Sequence, residues 1–269
     1  MKNIREILRE GVDTRLGAGS GDKEPSSRGV VCQLCQDRGI VLEGEVAKPC
    51  TCMQQKKLEN RFRYARMARS LMHCRFEQFN FEYYDSIANP SHRANAHKAY
   101  AAAREFVENC EARESAGLGL LFIGPVGSGK TFLAACIANA LIERDKRVLF
   151  LVVPDLLDEL RATFSNKGEF SEIDLLDTAR EIPILVLDDL GAHNYTEWTR
   201  NRIYSIINFR LNQQLPTVIT SNLSLEDMEN YLGDRTTSRL LQMSRVFRLT
   251  CDQDIRLRKY QEREGLTKS

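Results

Sequence analysis

Between an apolar tetrad, Leu120-Leu121-Phe122-Ile123, and an Ala-, Leu- and Ile-rich stretch from Phe132 to Ile142 lies the octapeptide Gly124-Pro125-Val126-Gly127-Ser128-Gly129-Lys130-Thr131. The tetrad reads as a buried strand and the stretch after it as a helix. The octapeptide fits G-x-x-x-x-G-K-[ST] at every fixed position, the pattern of a loop that cradles phosphates. Such a loop needs a strand–turn–helix setting. The first amides of the helix, with no partner inside it, point at an anion, and glycines let the backbone come close. Lys130 is placed to reach the β- and γ-phosphates of a nucleoside triphosphate, and the Thr131 hydroxyl to bind Mg²⁺. Gly124, Gly127, Ser128, Gly129 and Phe132 complete the expected nucleotide contacts. A chance glycine-rich turn would not carry both flanks.

The segments that follow continue the pattern. Arg147 to Val153 reads as a second strand, and Pro154 opens a helix at its first turn. Glu172 to Arg180 is a further helix, after a polar gap from Ser165 to Glu169. Ile184-Leu185-Val186-Leu187 is an apolar strand that ends in Asp188-Asp189. Thr196 to Asn212 is helical, and Thr217 to Ser221 is again a strand, followed by Asn222. Wholly apolar strands alternating with helices predict an α/β fold with a parallel, doubly wound sheet. In such sheets ligands bind at the carboxyl ends of the strands. Asp188 is therefore expected to complete the Mg²⁺ site begun by Thr131, and Asp189 to orient or deprotonate an attacking water. Asn222, at the next strand end, can position that water or sense the γ-phosphate; its plainer reading is a turn-forming residue. The bland reading of the two acids is a helix N-cap pair.

A length of 269 residues with 42% hydrophobic side chains suits one α/β domain plus a small appendage. The net charge of +1 supplies no global attraction to nucleic acid, so any such contact must be local. No run of about 18 apolar residues is present, and the charged first ten residues lack the apolar core of a signal peptide. The expectation is a cytoplasmic protein with no membrane contact. There thiols stay reduced, so the eight cysteines call for metal or burial.

Those cysteines organise the N-terminal part. Residues 1–29 read as a short helix (Ile4, Ile7 and Leu8 on one side) and a Gly/Ser-rich linker. Residues 30–53 hold Cys32-Gln33-Leu34-Cys35 and, after fourteen intervening residues, Cys50-Thr51-Cys52. Two close pairs around a hairpin-length insert make a four-thiolate Zn²⁺ site with a structural role. A redox C-x-x-C, or replacement of one ligand by His73 or Cys74, are the competing readings. Residues 54–75 read as a basic helical connector, in which Lys56, Lys57, Arg61, Arg63, Arg66 and Arg69 face only Glu59. It is either a solvated helix or a contact surface for an acidic partner or phosphates. Residues 76–269 form the nucleotide domain, entered through Phe76, Phe79 and Phe81. These aromatics either close over a base or belong to the core.

The order of Gly124 to Ala134, Leu187-Asp188-Asp189-Leu190-Gly191, Ile207-Asn208-Phe209-Arg210, Pro216 to Leu223 and Ser238-Arg239-Leu240 resembles an AAA+ ATPase. The nearer resemblance is to DnaC/DnaI-type replicative helicase loaders and the related IstB transposition ATPases. It covers about residues 76–255. The zinc module, Cys32-x-x-Cys35-x-Asp37-x-Gly39 with Cys50-x-Cys52, is similar to that of DnaI-type loaders. The resemblance implies an ATPase, weak in isolation, that self-associates through its AAA+ domains. It implies binding to single-stranded DNA and docking on the replicative hexameric helicase. It makes Lys130 and Thr131 Walker A, Asp188 and Asp189 Walker B, and Asn222 sensor 1. Arg239 would be the finger supplied in trans, with Arg235 as its competitor. A helix before Walker B, residues 154–180, would line the DNA path through Arg161, Lys167 and Arg180, although that segment is rich in acids. Thirty residues follow Arg239, too few for a helical lid domain, and no sensor 2 arginine stands out among them. An IstB-type helper acting on target DNA is the alternative.

Overall fold

The computed structural model describes residues 32–36, 38–43, 46–110, 118–165, 172–191 and 195–265. The expected helix and linker of residues 1–29 and Lys167 lie outside them. The chain divides into two compact units, Met1–Tyr64 and Ala65–Ser269.

The first unit is a hairpin and a helix. Strands β1 (Ile40–Glu43) and β2 (Val46–Pro49) pair antiparallel, Ile40 opposite Pro49. Helix α1 runs Thr51–Tyr64. It begins inside the C-x-C, so Cys52 sits in its first turn, and it ends at Tyr64. Residues 65–75, expected to continue it, belong instead to the second unit. Arg66 there adopts a left-handed conformation (φ 57°) that stops a helix, and its side chain pairs with Glu159.

The second unit opens with turns. The Ala65 carbonyl accepts the Phe150 N–H (2.8 Å), and the Asn139 side chain donates to the Leu71 and Cys74 carbonyls (2.8 Å each). Helix α2 (Ser91–Glu108) follows. The sheet contains β3 (Gly119–Ile123), β4 (Val148–Val152), β5 (Ile184–Leu190), β6 (Thr217–Ser221) and β7 (Ser244–Arg248). Its order is β4-β5-β6-β3-β7, every pairing parallel. All five residues of β3 and of β6 are buried; β3 is accordingly apolar along its length, whereas β6 buries Thr217, Thr220 and Ser221 beside Val218 and Ile219. Helices α3 (Lys130–Glu143), α4 (Val153–Ser165), α5 (Glu172–Glu181) and α6 (Glu197–Asn212) fall between strands, as the sequence predicts. Thr196 caps α6 with its hydroxyl.

Several elements are additional to the sequence reading, among them α7 (Leu225–Leu232), α8 (Asp234–Met243) and the edge strand β7. Strand β7, Ser-Arg-Val-Phe-Arg, carries two arginines and so shows no apolar run. A short helix α9 (Ile255–Arg263), capped by the Asp254 side chain, closes the described chain.

Between β5 and β6 the register slips. Leu187 faces Ile219 and Leu190 faces Ser221, so Asp188 and Asp189 together oppose Thr220. This is a bulge, and Asp189 in it has φ 61°.

Candidate nucleotide and metal sites

A cavity of about 540 Å³ opens at the carboxyl ends of β3, β5 and β6. That is ample for a nucleotide-sized ligand. Lys130, Thr131, Asp188, Asp189 and Asn222 all line it.

The phosphate loop is shaped by its glycines. Gly124 has φ 149°, and a Cβ there would lie 1.8 Å from the Leu249 carbonyl oxygen. Gly127 has φ 73°, and a Cβ there would lie 2.0 Å from the Asp254 carboxyl carbon. The loop thus packs directly on the strand-to-helix connection after β7, and the Ile255 N–H donates to the Gly127 carbonyl (3.0 Å). Lys130 donates to the Gly124 and Pro125 carbonyls (2.8 and 2.7 Å). Burial pushes its ammonium down to about 8, against the opposing pull of Asp189 and Asp188.

The acids are tied to their neighbours. The Thr131 hydroxyl donates to Asp188 (2.9 Å), and the Thr220 hydroxyl donates to the same carboxylate (2.6 Å). Burial raises the Asp188 pKa, and those two donors work against the rise. The Asn222 amide donates to Asp189 Oδ1 (2.6 Å). A hydroxyl and a carboxylate in contact form an oxygen donor pair suited to Mg²⁺, a hard cation.

The bulge is why two consecutive acids reach one cavity. In a regular strand they would point to opposite faces. Of the aromatics before the nucleotide domain, Phe79 and Tyr84 stack (5.3 Å, 11° between planes) and line the cavity with Tyr83 and Phe132. Tyr84 donates to the Ser128 carbonyl (2.8 Å). Phe76 instead packs edge-on against Tyr100 (5.5 Å) within the core. The core reading of this segment therefore holds for Phe76, while Phe79 lies on the cavity wall.

Thr220, Tyr84 and the basic face of α9 were not foreseen. Arg256 and Lys259 line the cavity, Lys259 lying 5.6 Å from the Tyr83 ring centre and 5.7 Å from that of Phe132. Thr220 was detectable: it stands two residues before Asn222 and so shares its strand face. Arg256 and Lys259 had no local signal, since only the fold brings the C-terminal helix to the phosphate loop.

Neither Arg235 nor Arg239 lines this cavity. Arg235 is exposed in the first turn of α8. Arg239 packs on Tyr204, its guanidinium 5.2 Å from the ring centre and donating to the phenol oxygen (3.0 and 3.2 Å). The basic residues expected along a DNA path are paired locally, Arg161 with Asp158 (3.0 Å) and Arg180 with Asp177 (2.8 Å).

In the first unit the sulfurs of Cys32, Cys35, Cys50 and Cys52 lie within 4.8 Å of one another. Cys32 and Cys50 are 3.8 Å apart, Cys35 and Cys52 3.4 Å. Zn–S bonds of about 2.3 Å in a tetrahedron require sulfurs about 3.8 Å apart, and the set is compatible with zinc. Cys74 lines the nucleotide cavity of the second unit.

Residues 39–260 match the family described as IstB-like ATP binding protein. The chain belongs to that family. It is 28% identical over 179 residues to the replicative helicase loader DnaI of Bacillus subtilis, covering 66% of this chain and 53% of that protein. It is 32% identical over 142 residues to the replicative helicase loader DnaC of Escherichia coli K12, covering 53% of this chain and 56% of that protein. The match thus spans about half the length of these relatives. A crystal structure of the DnaC helicase loader superimposes with a TM-score of 0.57 at 28% identity, covering 67% of this chain and 99% of that one. The second unit has the AAA+ fold, and ATP binding is a property of the family. Among the described residues no helix is long and apolar enough to cross a membrane.

Proposed function

We propose that this protein is an ATPase that loads the replicative hexameric DNA helicase onto single-stranded DNA when replication starts. The observation that carries the reading is the convergence of Lys130, Thr131, Asp188, Asp189 and Asn222 in one cavity, on a fold similar to a helicase loader. Lys130 and the loop amides would hold the β- and γ-phosphates. Thr131 and Asp188 would hold Mg²⁺, which supplies charge neutralisation when bound. Asp189, oriented by Asn222, would align the attacking water. Phe79, Tyr83 and Phe132 offer the base an aromatic pocket, and Arg256 and Lys259 add positive charge at its mouth. Zn²⁺ on the four cysteines would organise the N-terminal unit, to which we assign the dock on the helicase. Hydrolysis completed by an arginine of α8 from a neighbouring copy would make turnover depend on self-association.

The family match also admits a helper ATPase acting on duplex target DNA during transposition. One experiment separates the two. The purified chain is mixed with a replicative helicase from the same source, with ATP, with ADP and without nucleotide. Nucleotide-dependent capture, with ATP turnover stimulated by single strands, supports the loader. No capture in any state, with turnover stimulated by duplex DNA, transfers the assignment to the transposition helper.

A further inference from the structure

The two acids at the end of β5 reach the cavity together because the strand bulges there, and the bulge has a cost. Asp189 is held at φ 61°, a conformation that non-glycine residues occupy at a penalty of about 1 kcal/mol or more. Bulging also takes the Asp189 N–H out of the regular ladder with β6. Something must supply that N–H with an acceptor, because an unpaired buried amide is costly. The Thr220 hydroxyl oxygen accepts it at 2.9 Å. The same hydroxyl spends its one proton on Asp188 Oδ1 at 2.6 Å. A single O–H group, on a residue 1% exposed, thereby fixes the backbone of one acid and the carboxylate of the other.

We propose that Thr220 is a positioning residue that holds the β5 bulge and through it aligns Asp188 for the metal and Asp189 for the water. The inference rests on the ATPase reading given above. It concerns a residue of β6 outside the phosphate loop, the acid pair and Asn222. Asn222 grips Asp189 from the side-chain end, and Thr220 grips it from the backbone end. With the hydroxyl removed, the strand has no local acceptor for the Asp189 N–H, so regular pairing, which turns one acid away, becomes the better alternative.

Thr220→Val retains the branched shape and removes the hydroxyl; Thr220→Ser restores the hydroxyl on a smaller side chain. Binding of a fluorescent ADP is measured in EDTA and in Mg²⁺, alongside ATP turnover by the full chain. We expect Thr220→Val to bind nucleotide normally in EDTA, to lose most of the tightening that Mg²⁺ gives, and to turn over about 10- to 100-fold more slowly, the worth of one hydrogen bond to a charged group. Thr220→Ser should return both properties toward the parent. In an Asp189→Asn background the valine substitution should slow turnover by less than it does alone. The proposal fails if Thr220→Val matches the parent in Mg²⁺ dependence and turnover. It also fails if the valine variant weakens binding equally in EDTA and Mg²⁺, with no recovery by serine, since that is the mark of general destabilisation. A parent that binds nucleotide tightly with Mg²⁺ but never hydrolyses it would sink the ATPase reading. The binding measurements would then still decide whether Thr220 orders the metal site.

Discussion

In the N-terminal unit Leu34, Ile40 and Met53 stand 74%, 52% and 46% exposed, whereas in the ATPase unit every residue of β3 and β6 is buried. The first unit has two four-residue strands and a helix, far less than a chain needs to bury a stabilising core. With zinc bound, its four sulfurs would supply the cross-link that such a small unit requires. The second unit buries a five-stranded parallel sheet under helices. The same contrast separates their chemistry. In the N-terminal unit the metal would be structure; in the ATPase unit it would be a reagent, gripped by Thr131 and Asp188 beside an exchangeable nucleotide.

The largest effect should therefore come from removing zinc. Structural zinc contributes on the order of 10 kcal/mol to modules of this kind. Cys50→Ser should release the metal and erase hydrogen-exchange protection in β1, β2 and the start of α1, while nucleotide affinity and the main thermal transition of the ATPase unit stay in place. Unchanged zinc content in that variant would break the ligand set. Loss of the ATPase transition would break the comparison itself, because the larger unit would then depend on the smaller one.

A smaller effect, confined to the second unit, should follow Lys130→Ala. Truncating one partner of a buried, hydrogen-bonded charge pair costs about 2–5 kcal/mol, which would weaken nucleotide binding by roughly 10²- to 10³-fold or more. The cysteine cluster should keep its zinc. Normal nucleotide affinity, measured by calorimetry, would overturn the phosphate-loop assignment.

The sequence made the architecture of the ATPase unit legible because its motifs and its periodicity agree. The strand before the phosphate loop, the strand before Asp188 and the helix from Thr196 all carry a hydrophobic pattern long enough to read. Strand β7 was hidden because an edge strand beside solvent can keep Arg245 and Arg248. The end of the N-terminal helix is not legible because a run of basic residues continues past Tyr64, while Arg66 takes a left-handed conformation and the residues from Ala65 belong to the other unit. At the site, the residue types were visible but their mutual geometry was not. Adjacent aspartates in a strand should diverge, and only the bulge against Thr220 brings them together. The contribution of α9 is a purely three-dimensional fact. Nothing near Arg256 in sequence announces the phosphate loop, which lies more than a hundred residues earlier.

The last of these effects concerns what a single copy lacks. Thr131, Asp188, Asp189 and Asn222 are all held in place by their own chain, but the two arginines of α8 are not aimed at that chain's cavity. Arg239 is occupied by Tyr204, a contact worth about 1 kcal/mol at a partly exposed site. Reaching across to a neighbour's phosphates would mean giving that contact up, so the net gain should fall at the low end for an arginine acting in trans, about 10³-fold in turnover. Arg239→Ala should leave nucleotide affinity and the turnover of dilute, unassembled protein unchanged, and should remove the acceleration that appears as concentration rises. Tyr204→Phe, which keeps the ring and deletes the hydrogen bonds, should free the arginine and shift that acceleration to lower concentration. If Arg235→Ala removes the acceleration and Arg239→Ala does not, the exposed arginine is the one that crosses between copies, and Arg239 with Tyr204 is a brace for α8 on α6.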